Sequence, residues 1–234
     1  MADAITSSLI QIAGPACPIR AFEARPGAAG PHPAVIVIQE WWGLNEHIKD
    51  VATRFAREGY VAIAPDLYSR QDNKVTADPN EAGTLMMSLD KPDGVADLLA
   101  VVAHLKTVPG VKADGIGVTG FCMGGSYTTL LACATADIKA AAAFYGEVPA
   151  DDVLAQLRCP LLYLYGTEDG WIQLADVERL RDTLQRAGKT AEVQIYPGAP
   201  HAFFNDTRKD VYRKTEAEDA WARTLRLFGQ HLKR

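Results

Sequence analysis

The sequence predicts an α/β protein, a mostly parallel central sheet with helices on both faces. Three observations predict it. Continuous apolar runs such as Ala34-Val35-Ile36-Val37-Ile38 and Leu161-Leu162-Tyr163-Leu164-Tyr165 read as strands buried on both faces, as parallel strands are. Between such runs lie segments with apolar residues at helical spacing, and this alternation builds crossovers between parallel strands. Third, the run Val118-Thr119 ends in Gly120-Phe121-Cys122-Met123-Gly124-Gly125, where a helical pattern begins. With 234 residues and 48% hydrophobic content, the chain reads as one domain, residues 1–234.

Each element has its own signal. Leu9 to Ile12 and Ile19 to Ala24, separated by Gly14-Pro15, read as an opening hairpin. After a Gly/Pro-rich connection comes the strand Ala34 to Gln39, broken by Glu40-Trp41-Trp42-Gly43. Asn45 is placed to cap a helix whose Ile48, Val51, Ala52 and Phe55 share a face, and Gly59 stops it. Val61 to Pro65 is the next strand. Asp66 to Asp90 is a long excursion with at most one short helix, around Glu81 to Met87, and is expected to wall a pocket. A helix from Asp93 to Leu105 leads to the strand Ile116 to Thr119, and the helix after it runs to Thr135. Strands Ala140 to Tyr145, Leu161 to Tyr165 and Ala191 to Tyr196 follow, separated by helices near Asp152 to Leu157 and Ala175 to Ala187. Trp221, Leu225, Phe228 and Leu232 stripe a last helix.

Composition removes several functions. A net charge of −5 argues against a nucleic-acid partner. No apolar run approaches a membrane span, the first residues lack the pattern of a signal peptide, and a cytoplasmic location is expected. Four scattered cysteines without a CxxC pair fit reduced thiols better than disulfides or zinc.

The chemistry centres on Cys122. A nucleophile between strand and helix sits on a tight turn, the elbow of the α/β-hydrolase fold, here with cysteine in the place of serine. Glycines at 120, 124 and 125 remove Cβ atoms that would clash there. A helix starting at Cys122 would favour thiolate, and the Met123 amide would face a developing oxyanion. Cys122 alone would read about as well as a small buried hydrophobe. The order of elements decides, because this fold requires nucleophile, then acid, then histidine. Asp169 follows the strand Leu161 to Tyr165, with Glu168 beside it as a competitor. His201 follows the strand Ala191 to Tyr196, in a loop that can return a neutral imidazole to take the Cys122 proton and later protonate the leaving alcohol. His32, His47, His104 and His231 suit surface or packing roles. The amide of Trp41 is the natural second oxyanion donor, and Glu40 would be a carboxyl close to the nucleophile.

Together these residues resemble the dienelactone hydrolase (carboxymethylenebutenolidase) family over essentially the whole chain. The landmarks are Gln39-Glu40-Trp41-Trp42-Gly43, Pro65-Asp66-Leu67-Tyr68, the Gly120 to Gly125 elbow, Tyr145-Gly146, Gly166-Thr167-Glu168-Asp169 and His201-Ala202-Phe203-Phe204-Asn205-Asp206. The resemblance implies a Cys122–Asp169–His201 triad, an oxyanion hole from the Trp41 and Met123 amides, and a Glu40 that binds the resting thiol and helps form thiolate. Trp42, Phe203 and Asn205 are then expected to contact substrate. The family's two arginines for an anionic lactone are missing: residues 78–90 contain none, and Asn205 stands at the later position. Unless Arg208 or Arg70 folds inward, a neutral lactone or ester should be the better substrate.

The resulting expectation is a cofactor-independent, metal-free hydrolase of small lactones or carboxylic esters, acting through an acyl-thioester at Cys122 as a monomer or homodimer. A non-catalytic ligand-binding or sensor protein on the same fold is the alternative.

Overall fold

The computed structural model describes residues 4–233. Its eight strands are β1 (Thr6–Ile12), β2 (Ile19–Arg25), β3 (His32–Ile38), β4 (Val61–Pro65), β5 (Val111–Phe121), β6 (Ile138–Phe144), β7 (Leu161–Glu168) and β8 (Ala191–Pro200). They form one sheet in the order β1-β2-β4-β3-β5-β6-β7-β8. The expected hairpin forms, with Leu9 opposite Phe22, and β2 also pairs antiparallel to β4. Every other pairing is parallel. The buried runs in β3, β4 and β6 therefore form the middle of the sheet, where both faces are covered.

The helices are α1 (Glu46–Arg57), α2 (Pro79–Ser88), α3 (Lys91–Leu105), α4 (Met123–Ala134), α5 (Asp151–Leu154), α6 (Leu174–Arg186) and α7 (Lys214–Leu232). Asn45 caps α1, its Oδ1 accepting from the Ile48 amide at 3.1 Å, and Gly59 leaves the helix at φ 87°. Phe55 of α1 meets Trp221 and Phe228 of α7, fixing these helices together over the sheet. On α3, Gly94 gives the room that the Tyr127 ring of α4 occupies.

Several boundaries differ from expectation, among them β5, which starts already at Val111, and α5, which ends at Leu154. α2 starts two residues early because Pro79 suits a first helical turn and Asp78 Oδ1 accepts from the Asn80 amide at 2.7 Å. β8 continues to Pro200 because the β7 pairing resumes after an irregularity, at Glu168 opposite Pro200. α7 begins well before its apolar stripe, at Lys214. Among the described residues no helix is long and apolar enough to cross a membrane.

Candidate active site

The candidate residues converge at the C-terminal ends of the parallel strands, where ligands bind in open α/β sheets. Cys122 stands between β5 and α4 at φ 57°, a left-handed conformation costly for a residue with a Cβ. The turn holds because its neighbours leave no room for anything else. A Cβ on Gly120 would collide with the Gly124 carbonyl, and one on Gly124 with the carbonyls of Ile38 and Gln39. The Cys122 amide donates to the Phe144 carbonyl at 3.1 Å, tying the elbow to β6.

Asp169 lies directly past β7. Its Oδ1 accepts from the amides of Trp171 and Ile172 at 2.8 and 2.9 Å, and its Oδ2 meets His201 Nδ1 at 2.7 Å. Asp169, not the exposed Glu168, is thus the acid brought to the imidazole. With Nδ1 engaged, Nε2 is the nitrogen left to face Cys122. The ring is held edge-on between Tyr145 and Trp171, at centroid distances of 4.9 and 5.4 Å. Burial pulls the His201 pKa down, but the hydrogen bonds to Asp169 and Cys122 and their charges outweigh it and carry it up to about 10.

Glu40 follows β3 and is 1% exposed. Burial pushes its carboxyl up to about 7, against the opposing effects of the Asn205 hydrogen bond, His201 and Arg208. The neighbouring Trp41 peptide is fixed by Tyr68, whose hydroxyl donates to the Trp41 carbonyl at 3.0 Å and lies 3.5 Å from Met123 Sδ. Tyr68 therefore bridges the two residues expected to supply the oxyanion-hole amides. Met123 opens α4, where backbone N–H groups lack helical acceptors.

A cavity of about 300 Å³ joins these groups, lined by Glu40, Trp41, Trp42, Met86, Cys122, Trp171, His201, Ala202 and Arg208. Two expected contacts are absent from its wall. Phe203 is fully buried against Tyr145 and Tyr196, because the chain turns at Ala202 (φ 62°) and sends the next side chain into the core. Asn205 is also buried and donates its Nδ2 to Glu40 Oε2 at 2.7 Å. Trp42 does line the cavity. Met86 and Trp171 line it too, unforeseen as contacts apart from the general expectation for the 66–90 excursion. Arg70 turns away to Asp97 and Asp93, whereas Arg208 reaches the cavity while holding Asp210 at 2.7 Å. Of the two arginines that the sequence left able to fold inward, Arg208 does so and Arg70 does not.

The other cysteines have no part in this cavity. Cys17 is half-buried, and burial pushes the thiols of Cys133 and Cys159 up to about 11 and about 12.

The sequence profile of the dienelactone hydrolase family matches residues 19–232. The chain belongs to that family. A provisionally named carboxymethylenebutenolidase of Escherichia coli is 37% identical over 98% of this chain and 89% of its own. Another from Methylorubrum extorquens is 38% identical, covering 91% of this chain and 77% of its own. A crystal structure of a provisionally named dienelactone hydrolase from Klebsiella pneumoniae superposes with a TM-score of 0.89 at 38% identity, covering 97% of this chain and all of the other. The fold is also shared, at a TM-score of 0.90 and 23% identity, with a dienelactone hydrolase-like promiscuous phosphotriesterase from metagenomic libraries. This dienelactone hydrolase family member is a carboxylic ester or lactone hydrolase.

Proposed function

We propose that this hydrolase opens small lactones or esters by covalent catalysis at Cys122. The observation that carries the reading is the relay from Asp169 through His201 toward Cys122 on a strained, glycine-enclosed elbow. The His201 imidazolium holds the proton that leaves Cys122, and the thiolate adds to the substrate carbonyl carbon. Negative charge gathers on the carbonyl oxygen, facing the Trp41 and Met123 amides. Collapse breaks the carbon–oxygen bond to the leaving group, which takes the proton from His201. This leaves an acyl-thioester and an alcohol, tethered to the acyl chain when the substrate is a lactone. His201, now neutral, takes a proton from water as its oxygen attacks the thioester. The acid departs, and the returning thiolate again faces an imidazolium. Glu40 assists in its ionised form, stabilising the imidazolium and so drawing the proton from the thiol.

Intact-mass measurement after rapid mixing with an aryl ester tests this. An adduct of the acyl mass on Cys122, missing in Cys122→Ala together with turnover while the melting temperature holds, is expected. Full turnover in Cys122→Ala would remove the thiol from the mechanism.

A further inference from the structure

Asn205 does more than fill the space beside Glu40. Its Oδ1 accepts from the Thr207 amide at 3.1 Å and from the Thr207 hydroxyl at 2.6 Å. A backbone N–H can only donate, so the atom facing it is the amide oxygen, and Nδ2 must face Glu40. The Nδ2–Oε2 bond of 2.7 Å is buried at both ends, with Asn205 2% and Glu40 1% exposed. The loop carrying this clamp is itself braced, since Asp206 pairs with Arg54 at 2.5 Å and lies 3.4 Å from His47.

We infer that Asn205, locked by Thr207, is the positioning residue that fixes the Glu40 carboxyl in the cavity wall, where its ionised form can act on His201. This rests on the thiol mechanism above for its catalytic meaning. An arginine here would add a charge and hold Glu40 as a permanent anion. A neutral amide N–H satisfies either form of the carboxyl, so the acid stays in place as it gains or loses its proton. The ionisable groups facing Glu40 are His201 after β8, Arg208 beyond it, Tyr145 after β6 and Cys122 after β5. Burial raises the Glu40 pKa to about 7, and Asn205 is first among the groups that restrain it.

The direct test is a ¹³C NMR titration of side-chain glutamate carboxyls, with Glu40 assigned as the signal lost in Glu40→Gln. Removing the donor in Asn205→Ala should move the midpoint up by about one unit or more, the size expected for a hydrogen bond to a charged group. The isosteric Asn205→Asp should move it in the same direction, because a second acid faces the first. Thr207→Val, which loosens the clamp without touching Glu40, should give a smaller upward shift and covers the event that Asn205→Ala does not fold. The acid limb of kcat/KM should move with the midpoint. An unmoved Glu40 midpoint in a folded Asn205 variant would overturn the inference. A moved midpoint with an unmoved limb would keep Asn205 as the anchor and strike Glu40 from the mechanism.

Discussion

The site contains two buried carboxyls held in opposite ways. Asp169 accepts two backbone amides on one oxygen and the His201 ring on the other, so its orientation is set from three directions. Among the described residues Glu40 has a single side-chain donor, a neutral amide, and burial pushes it up to about 7. The number and charge of the donors separate the tasks. A carboxylate ringed by fixed N–H groups is suited to orient a partner, while one with little compensation for burial is suited to change its charge.

Disrupting the orienting carboxyl should cost the most activity. Asp169→Asn leaves an amide that can still accept from Trp171 and Ile172 but offers N–H toward His201, favouring the wrong tautomer. A loss of about 10³ to 10⁴ in kcat is expected, with little change in unfolding temperature. The adjacent control is Glu168→Gln, which alters an exposed carboxyl and should leave kcat within about twofold. Steady-state rates for the two variants decide between the acids.

Next comes the titrating side. Glu40→Gln keeps an acceptor for Asn205 but cannot carry charge, and acylation should slow by about 10². In the parent enzyme kcat/KM should fall below pH about 7 as Glu40 takes up a proton, and above about 10 as His201 loses one. Glu40→Gln should lose the acid limb and keep the alkaline one. Stability should move the other way from activity. With the folded-state pKa raised, the unfolded chain releases its proton first as pH rises from about 4.5 to 7, so folding is progressively disfavoured over that window. Glu40→Gln removes this cost and should melt a few degrees higher at pH 8, with no gain below pH 4.5. Melting curves at the two pH values test the sign.

The same comparison shows what sequence could deliver. Cys122 and Asp169 follow buried strands and His201 follows the half-exposed edge strand β8, but all three sit among turn-forming residues after a strand, so chain order pointed to each. The sheet and its alternating helices were legible for the same reason. Phe203 and Asn205 were misplaced because they lie past the last strand, where the turn at Ala202, not a period of two, decides which way a side chain goes. Met86 arrives from α2, Trp171 from the loop after β7 and Arg208 from the loop after β8, and no local pattern shows that these segments meet. The Asn205–Glu40 bond spans 165 residues, and its function depends on which amide atom Thr207 engages. Such information exists only in the folded chain.

Arg208 is the weakest of the groups that restrain Glu40. This guanidinium lines the cavity and favours ionised Glu40, but it acts after Asn205 and His201 in strength and is held by Asp210 at 2.7 Å. Arg208→Ala should therefore raise the acid limb by less than Asn205→Ala does. Arg208 is also the guanidinium among the lining residues that can meet a carboxylate on the substrate, in a cavity that three tryptophans and Met86 line as well. A matched free acid and methyl ester should differ by about tenfold in kcat/KM in favour of the acid, the low end for a hydrogen bond to a charged group, because Asp210 already draws on the same guanidinium. In Arg208→Ala that preference should vanish while the methyl ester reacts nearly as before at pH 8. If the parent enzyme instead prefers the methyl ester, Arg208 faces the solvent side of its Asp210 pair during turnover. The neutral substrate expected from sequence would then be the correct one.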